Sequence, residues 1–467
     1  MDLNRKIMPT LVPELDPDFQ PAVLWNRAYS QAVQASGQGL PVAIAIERDQ
    51  GQIAVQETVI FPFGSKEAWD EANYFYLERL VKSLLWVKGG WKVIVGGSNQ
   101  AGEFLRQTYA PGGRREFDAQ FMGRVYEQDF TVESVELSKV PKINEKTEKI
   151  GGHLDGCRIG FDAGGSDRKV AAVMDGQVLF SDETVWHPKV TEDPDYHFAG
   201  IMDSITRAAA HLPRIDAIGV SSAGIYINNR TMVASLFLKV PEDLFEEKVK
   251  EIYLRVGKEL GNVPIEVRND GEVTALAGAA ALEDTNILGI AMGTSQAVGY
   301  VDSEGSLTGW LNELCFMPVD YNPNAMIDEW SGDSGCGVKY FSQDAVIKLA
   351  PAAGIELADD LTPAEKLEVV QDLLEKGHPG ARRIFENIGI YLGYAVAHYA
   401  DFYDIKHVLI LGRVTSGLGG VLILEKARAV LSADFPELTK IEFHLPDEDD
   451  RRVGQAITAA GLTALGR

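Results

Sequence analysis

The sequence predicts an α/β protein, and three observations predict it. From residue 157 onward, short apolar strand runs alternate with helical stretches of amphipathic spacing, the pattern of helices packed on a sheet. Two of these strands break on glycine, at Ile159-Gly160-Phe161-Asp162-Ala163-Gly164-Gly165-Ser166 and at Leu288-Gly289-Ile290-Ala291-Met292-Gly293-Thr294-Ser295. Between them lies Asn269-Asp270, after the apolar run 263–267 and before the helix-like stretch 274–282. Phosphoryl transfer to a hydroxyl needs a base beside the acceptor and backbone amides that approach phosphates without side-chain obstruction. The chain offers both.

Residues 1–150 read as a separate N-terminal α/β region, with a proline- and acid-rich start at 9–21 and a charged exit at 139–146. Runs 42–47 and 53–55 flank Asp49-Gln50-Gly51 as a hairpin. Residues 72–86 place Leu77, Leu80, Val81 and Leu84 on one helical face and lead through Gly89-Gly90 into a strand at 91–95.

Beyond 157, a hairpin continues through strands at 169–174 and 178–180, and a helix at 198–211 leads to a buried strand at 217–220 that ends on Ser221-Ser222-Ala223-Gly224. Residues 241–260 read as one amphipathic helix, with Phe245, Val249, Ile252, Tyr253 and Val256 at helical spacing. A strand–turn–strand at 287–301 opens a second lobe. It carries a long apolar helix at 381–402, a strand at 407–411 and the turn Gly412-Arg413. A glycine- and alanine-rich helix at 452–465 closes the chain.

With 467 residues, 45% of them hydrophobic, the chain can bury cores for two or three domains. The net charge of −24 opposes non-specific binding to nucleic acid or an anionic membrane. Cys157, Cys315 and Cys336 stand singly, without a disulfide framework or a CxxC pair, which points to a reducing cytoplasm. The opening Met1-Asp2-Leu3-Asn4-Arg5-Lys6 is polar and no run is long enough to span a bilayer, so neither secretion nor membrane insertion is expected.

Residues 157–467 resemble sugar kinases of the ROK family. Asp162-Ala163-Gly164-Gly165-Ser166 is similar to the first phosphate motif DxGGT, and Val220-Ser221-Ser222-Ala223-Gly224 to the V-P-G connection. Asn269-Asp270-Gly271-Glu272 opens a segment like NDANAAALGE, and Gly293-Thr294 opens the second phosphate motif. Gly309-Trp310-Leu311-Asn312-Glu313-Leu314-Cys315-Phe316-Met317 resembles the sugar loop GxAGEIGHM, and Leu409-Ile410-Leu411-Gly412 the adenosine motif.

The resemblance implies a two-lobed actin-like ATPase (ribonuclease H-like) fold with an additional N-terminal α/β region. Residues 151–285, completed by a helix from 450–467, would form the first lobe and 286–449 the second. It implies ATP and Mg²⁺ as cofactors and a hexose or related sugar as substrate. Asp270 would be the catalytic base. Asn269, Glu313, Asn312 and Gly224 would hold the sugar, with Trp310 nearby as a stacking face. Gly164, Gly165, Ser166, Gly293, Thr294, Ser295, Gly412 and Arg413 would hold the nucleotide, with Mg²⁺ at Asp162. Read locally, the same residues are also a tight hairpin, an Asn-Asp-Gly helix cap and a solvated loop acid.

Several departures bear on function. Phe316 replaces the family's zinc-binding histidine, and its CxCGxxGC cluster aligns with Glu329-Trp330-Ser331-Gly332-Asp333-Ser334-Gly335-Cys336. No zinc site is expected, because the eight histidines show no paired ligand spacing. Ser295 and Ala297 replace glycines, Asp167 adds a carboxylate beside the first turn, and Arg413 stands after Gly412. A kinase and a catalytically degenerate relative, ROK-like or BadF-like, that binds sugar or nucleotide without turnover both stay open.

A repressor is disfavoured, since Arg114-Arg115 is the only compact basic cluster of the N-terminal region. An iron–sulfur activator of the BadF type lacks its cysteines. No nucleic-acid or membrane partner is expected, and homodimerisation stays open. So does the placement of 1–150 over the cleft, at a dimer interface or as a third α/β unit.

Overall fold

The computed structural model describes residues 7–446 and 448–465. The polar opening 1–6 and the last two positions of the expected closing segment, 466–467, lie outside the described residues.

Four strands form the N-terminal sheet: β1 (Leu40–Glu47), β2 (Ile53–Ile60), β3 (Lys92–Gly96) and β4 (Thr131–Val135), in the order β2-β1-β3-β4. The β1–β2 hairpin turns at Asp49–Gly51, as the sequence implies. The helix Glu67–Lys88 extends the predicted stretch by one turn at its start.

A second sheet is built from β5 (Cys157–Ala163), β6 (Asp167–Met174), β7 (Gln177–Val185) and β8 (Ala217–Ser222). The hairpin of β9 (Ile225–Ile227) and β10 (Arg230–Val233) follows, and then β11 (Ile265–Asn269) completes that sheet in the order β11-β8-β5-β6-β7. Every residue of β5 is buried, as expected for a central strand covered on both faces. The third sheet takes β12 (Ile287–Met292), β13 (Gln296–Val301), β14 (His407–Leu411) and β15 (Glu442–His444), in the order β13-β12-β14-β15. Both large sheets thus pair an antiparallel hairpin, β5–β6 or β12–β13, with a run of parallel strands.

Two large cores result. One fills the first lobe, with Phe161, Ile205, Val220 and Tyr253. The other runs without a break from Phe19, Tyr29, Leu77 and Trp86 of the N-terminal region into Leu288, Phe316, Tyr340 and Tyr391 of the second lobe. Phe19 sits 4.7 Å from the Tyr391 ring. The N-terminal region therefore gains its stability by sharing apolar surface with the second lobe.

The stretch 241–260 is not one helix. It breaks into Glu242–Leu244, a widened turn at Phe245–Val249, and the helix Ile252–Glu259, which keep the apolar face on the core. The closing helix spans Glu448–Ala460, shorter at its end than the sequence suggests. It lies on the first lobe's sheet, where Gly160 and Gly219 are paired neighbours on β5 and β8. A Cβ at either would overlap the carbonyl of Ala456 or Ala459. Gly219→Val is accordingly expected to destabilise the protein by about 3 kcal/mol, read as a lowered thermal midpoint, whereas an unchanged midpoint would mean that the helix does not pack there.

Among the described residues, no helix is long and apolar enough to cross a membrane.

Candidate functional site

Asp270 lies close enough to Asp162 and to Glu313 for its charge to act on both. Asp270 is the first residue of the helix Asp270–Leu282, directly after β11. Asn269 caps that helix by accepting from the Gly271 amide at 2.7 Å, and donates through its Nδ2 to the Gly224 carbonyl at 2.8 Å. Asn269 thus fixes two loops to each other and leaves one amide hydrogen for a ligand. Gly224 has φ 145° and sits against the backbone of Val233 and Ala234, where a side chain would not fit.

Asp162 ends up nearly buried at the close of β5, accepting from Ser221 Oγ at 2.8 Å, with Lys169 Nζ 4.0 Å away. Burial pushes its carboxyl up to about 6, against the pull of Lys169 and Ser221 and with Asp270 adding to the rise. Burial also lifts Asp270 above the ordinary carboxylate value, opposed by its backbone hydrogen bonds and by Lys189. In the first turn, Trp186 Nε1 donates to the Gly164 carbonyl at 2.8 Å and holds the loop, while Ser166 faces solvent. In the second, Thr294 and Ser295 are exposed and the space beside Gly293 is open. Gly412, at φ 98°, lies against the Met292 backbone at the end of β14, and Arg413 beside it is exposed.

The sugar-like loop is positioned by the N-terminal region. The amides of Leu311, Asn312 and Glu313 donate to the carbonyls of Lys88, Val87 and Trp86, the unpaired C-terminal end of the helix Glu67–Lys88. Asn312, expected at the ligand, is instead buried with φ 55°. Its Oδ1 accepts from Tyr403 at 2.9 Å, so it serves the loop's shape rather than a ligand. Trp310 lines the cleft, but Lys88 Nζ lies 2.9 Å from its ring centroid and covers one face.

Glu313 accepts from the Cys315 thiol at 3.3 Å. Burial pushes its carboxyl up to about 7, a rise opposed by the Cys315 hydrogen bond and enlarged by Asp270 and Glu272. A carboxyl whose folded value lies above the unfolded one, near 4.3, favours the folded state most below about pH 4 and loses that contribution as pH rises towards 7. Glu313→Gln should therefore flatten the fall of the thermal midpoint between pH 5 and pH 8. An unchanged slope would contradict the desolvation of this half-buried carboxyl.

A cavity of about 250 Å³ is lined by Gly224, Asn269, Glu272, Trp310 and Leu311 together with Arg48, Asp49 and Gln50 of the N-terminal region. That volume is below the range of about 300–1,000 Å³ usual for drug-sized ligands, and is suited to something smaller. The N-terminal region reaches across to the β9–β10 hairpin, where Glu127 pairs with Arg230 and Lys250, each at 2.7 Å.

Two features were missed in the sequence. Lys189, in the loop after β7, comes so close to the first turn that a Cβ on Gly165 would stand 2.9 Å from its Nζ. Its ammonium is held below the ordinary lysine value by burial, in part restored by Asp270. Nothing around His187-Pro188-Lys189 signals this, because the loop is brought in by the sheet. The second is Asp333, in the segment aligned with the family's cysteine cluster. It joins Arg79 Nη1 at 3.1 Å, Lys82 Nζ at 3.2 Å and Arg115 Nη1 at 2.7 Å in a buried set that also contains Glu78 and Asp118. Arg115, half of the basic pair in the sequence, is thus spent inside the protein.

No protein-family model and no curated protein matches the sequence. Solved structures do. The ROK hexokinase of Thermus thermophilus aligns over 65% of this chain and 97% of its own, at 18% identity and a TM-score of 0.50. A ROK family transcriptional regulator, described as a homolog of the E. coli MLC protein, aligns over 66% of this chain and 79% of its own, also at 18% identity and 0.50. The shared fold is the two-lobed actin-like ATPase architecture expected from the motifs, with about a third of this chain outside the match.

Proposed function

We propose that the cleft transfers the terminal phosphoryl group of ATP to a hydroxyl of a hexose or related small sugar. The observation that carries this is Asp270, a carboxyl with its proton affinity raised by burial, which directly follows Asn269 of the wall of a small polar cavity. A carboxylate of raised affinity is the better base for a sugar hydroxyl, and Glu313 on the opposite loop orients the acceptor by accepting from a neighbouring hydroxyl. Asn269 and Gly224 shape the cavity's near wall. The amides of 164–166, 294 and 295 take the phosphates, the Gly293 amide donating instead to the Ser295 carbonyl at 2.9 Å, and Gly412 the adenosine side, with Arg413 free to pair with a phosphate.

Asp162, at the close of β5 beside the first turn, is the carboxylate that would hold Mg²⁺, one or two carboxylates being the usual protein share of such a site. When bound, that ion neutralises charge on the triphosphate. In this reading a lobe at 151–285 with the closing helix and a lobe at 286–449 flank the cleft, and the N-terminal region 1–150, whose Arg48, Asp49 and Gln50 line the cavity, forms a wall.

Binding without turnover is favoured by one observation: Lys189 occupies the approach to Gly165 that a phosphate would use. Coupled ADP release measured with MgATP across a panel of hexoses and amino sugars separates the two. Release that depends on a sugar is the expected result. Calorimetric binding of nucleotide and sugar without any release would reject transfer in favour of the binding protein.

A further inference from the structure

A second cluster of chemistry-bearing side chains lies at the opposite end of the second lobe's sheet from the cleft. His407 opens β14, and β15 pairs with it in parallel, setting Glu442 beside His407 and His444 beside Leu409. Although 37 residues separate the histidines, His407 Nδ1 and His444 Nε2 stand 3.0 Å apart, and Glu442 Oε2 lies 4.0 and 3.9 Å from these nitrogens. The absence of paired histidine spacing in the sequence is therefore corrected by strand pairing. Gly412, at the cleft end of β14, is five residues away, roughly 16 Å along the strand.

The second observation is Asp284, in the turn before β12. Its Oδ2 lies 3.0 Å from His407 Nε2. A carboxylate accepts only, so His407 carries its proton on Nε2 and turns the Nδ1 lone pair towards His444. A carboxylate behind a histidine, with the ring's other nitrogen directed at a second histidine and a carboxylate, is the outer arrangement of a metal-binding imidazole. Glu442 is exposed and borders an open cavity of about 350 Å³.

We infer that His407, His444 and Glu442 form a binding site for a divalent transition-metal ion of the zinc type, oriented by Asp284 and remote from the phosphoryl-transfer cleft. At metal–nitrogen distances of about 2.0–2.1 Å, two tetrahedral nitrogen ligands stand about 3.3 Å apart, a few tenths of an ångström from the spacing present. Rotation of the exposed Glu442 side chain supplies the oxygen, and water fills the fourth position.

Tag-free protein stripped with a chelator and dialysed against Zn²⁺ alone tests this through the amount of metal retained per chain. One Zn²⁺ per chain is expected. Affinity should fall at least a hundredfold in His444→Ala and about ten- to a hundredfold in Asp284→Asn. It should stay unchanged in Asp162→Asn, which separates this site from the cleft carboxylates. His444 and Glu442 lie towards the surface, so His444→Ala and Glu442→Gln keep the test open should a change at buried His407 prevent folding. No zinc retained by the unaltered protein, or equal affinity in it and in His444→Ala, would overturn the site.

Discussion

Asp270→Asn is expected to lower turnover about a thousandfold while leaving the affinity for nucleotide and sugar within about tenfold. Asparagine keeps the size of the side chain and its place at the start of the helix Asp270–Leu282, but accepts no proton. Asn269 fixes the backbone of this turn, and the oxygen of the new asparagine can still accept from the Gly271 amide as Asp270 Oδ1 does at 3.1 Å, so the substitution leaves the cavity wall in place. Steady-state rates and calorimetric affinities on the same preparation give both quantities. A loss confined to affinity would make Asp270 a binding contact, and unchanged turnover would remove it from the chemistry.

Asp333→Asn is expected to cost about 3–5 kcal/mol of stability, the usual effect of removing one partner from a buried ionic set. Three cations, Arg79, Lys82 and Arg115, face three anions, Glu78, Asp118 and Asp333, and Lys82 is wholly buried. Neutralising Asp333 leaves one positive charge uncompensated. Burial alone would raise the Asp333 carboxyl, but the three cations hold it far below the ordinary value. Its contribution is therefore complete above the unfolded carboxylate value near 4 and is lost only as pH falls well below it. The destabilisation should be fully present at pH 7, read as a lower urea midpoint. Since Asp333 belongs to the second lobe and its partners to the N-terminal region, proteolysis of residues 67–126 should accelerate in parallel. Equal urea midpoints in variant and parent would show that the set does not tie the region down.

How far the sequence reveals this molecule depends on the range of the contacts. The placement of Asp162, Gly164, Asp270 and Gly412 at or just past the ends of strands was legible, because there a short motif and the fold say the same thing. The strands β5, β8, β12 and β14 follow from continuous apolar runs for the same reason. Asn312 was misplaced because neighbouring residues suggested a ligand contact, while its left-handed backbone and the Tyr403 hydroxyl, 91 residues on, turn the side chain inward. Lys189, the N-terminal wall at Arg48–Gln50 and the His407–His444 pair were not legible, since sheet pairing and lobe packing bring them in. Gln50 meets Asn228 across 178 positions. The single helix expected at 241–260 failed for a related reason: its apolar spacing holds across the break, which therefore leaves no mark in periodicity.

The most direct test of the central claim is a crystal structure with magnesium, a non-hydrolysable ATP analogue and the sugar that best supports ADP release. The terminal phosphate should lie between the turns 164–166 and 293–295, with an acceptor hydroxyl within about 3.5 Å of it and hydrogen-bonded to Asp270. A nucleotide bound elsewhere, or a first turn still filled by Lys189 at saturating analogue, would contradict it.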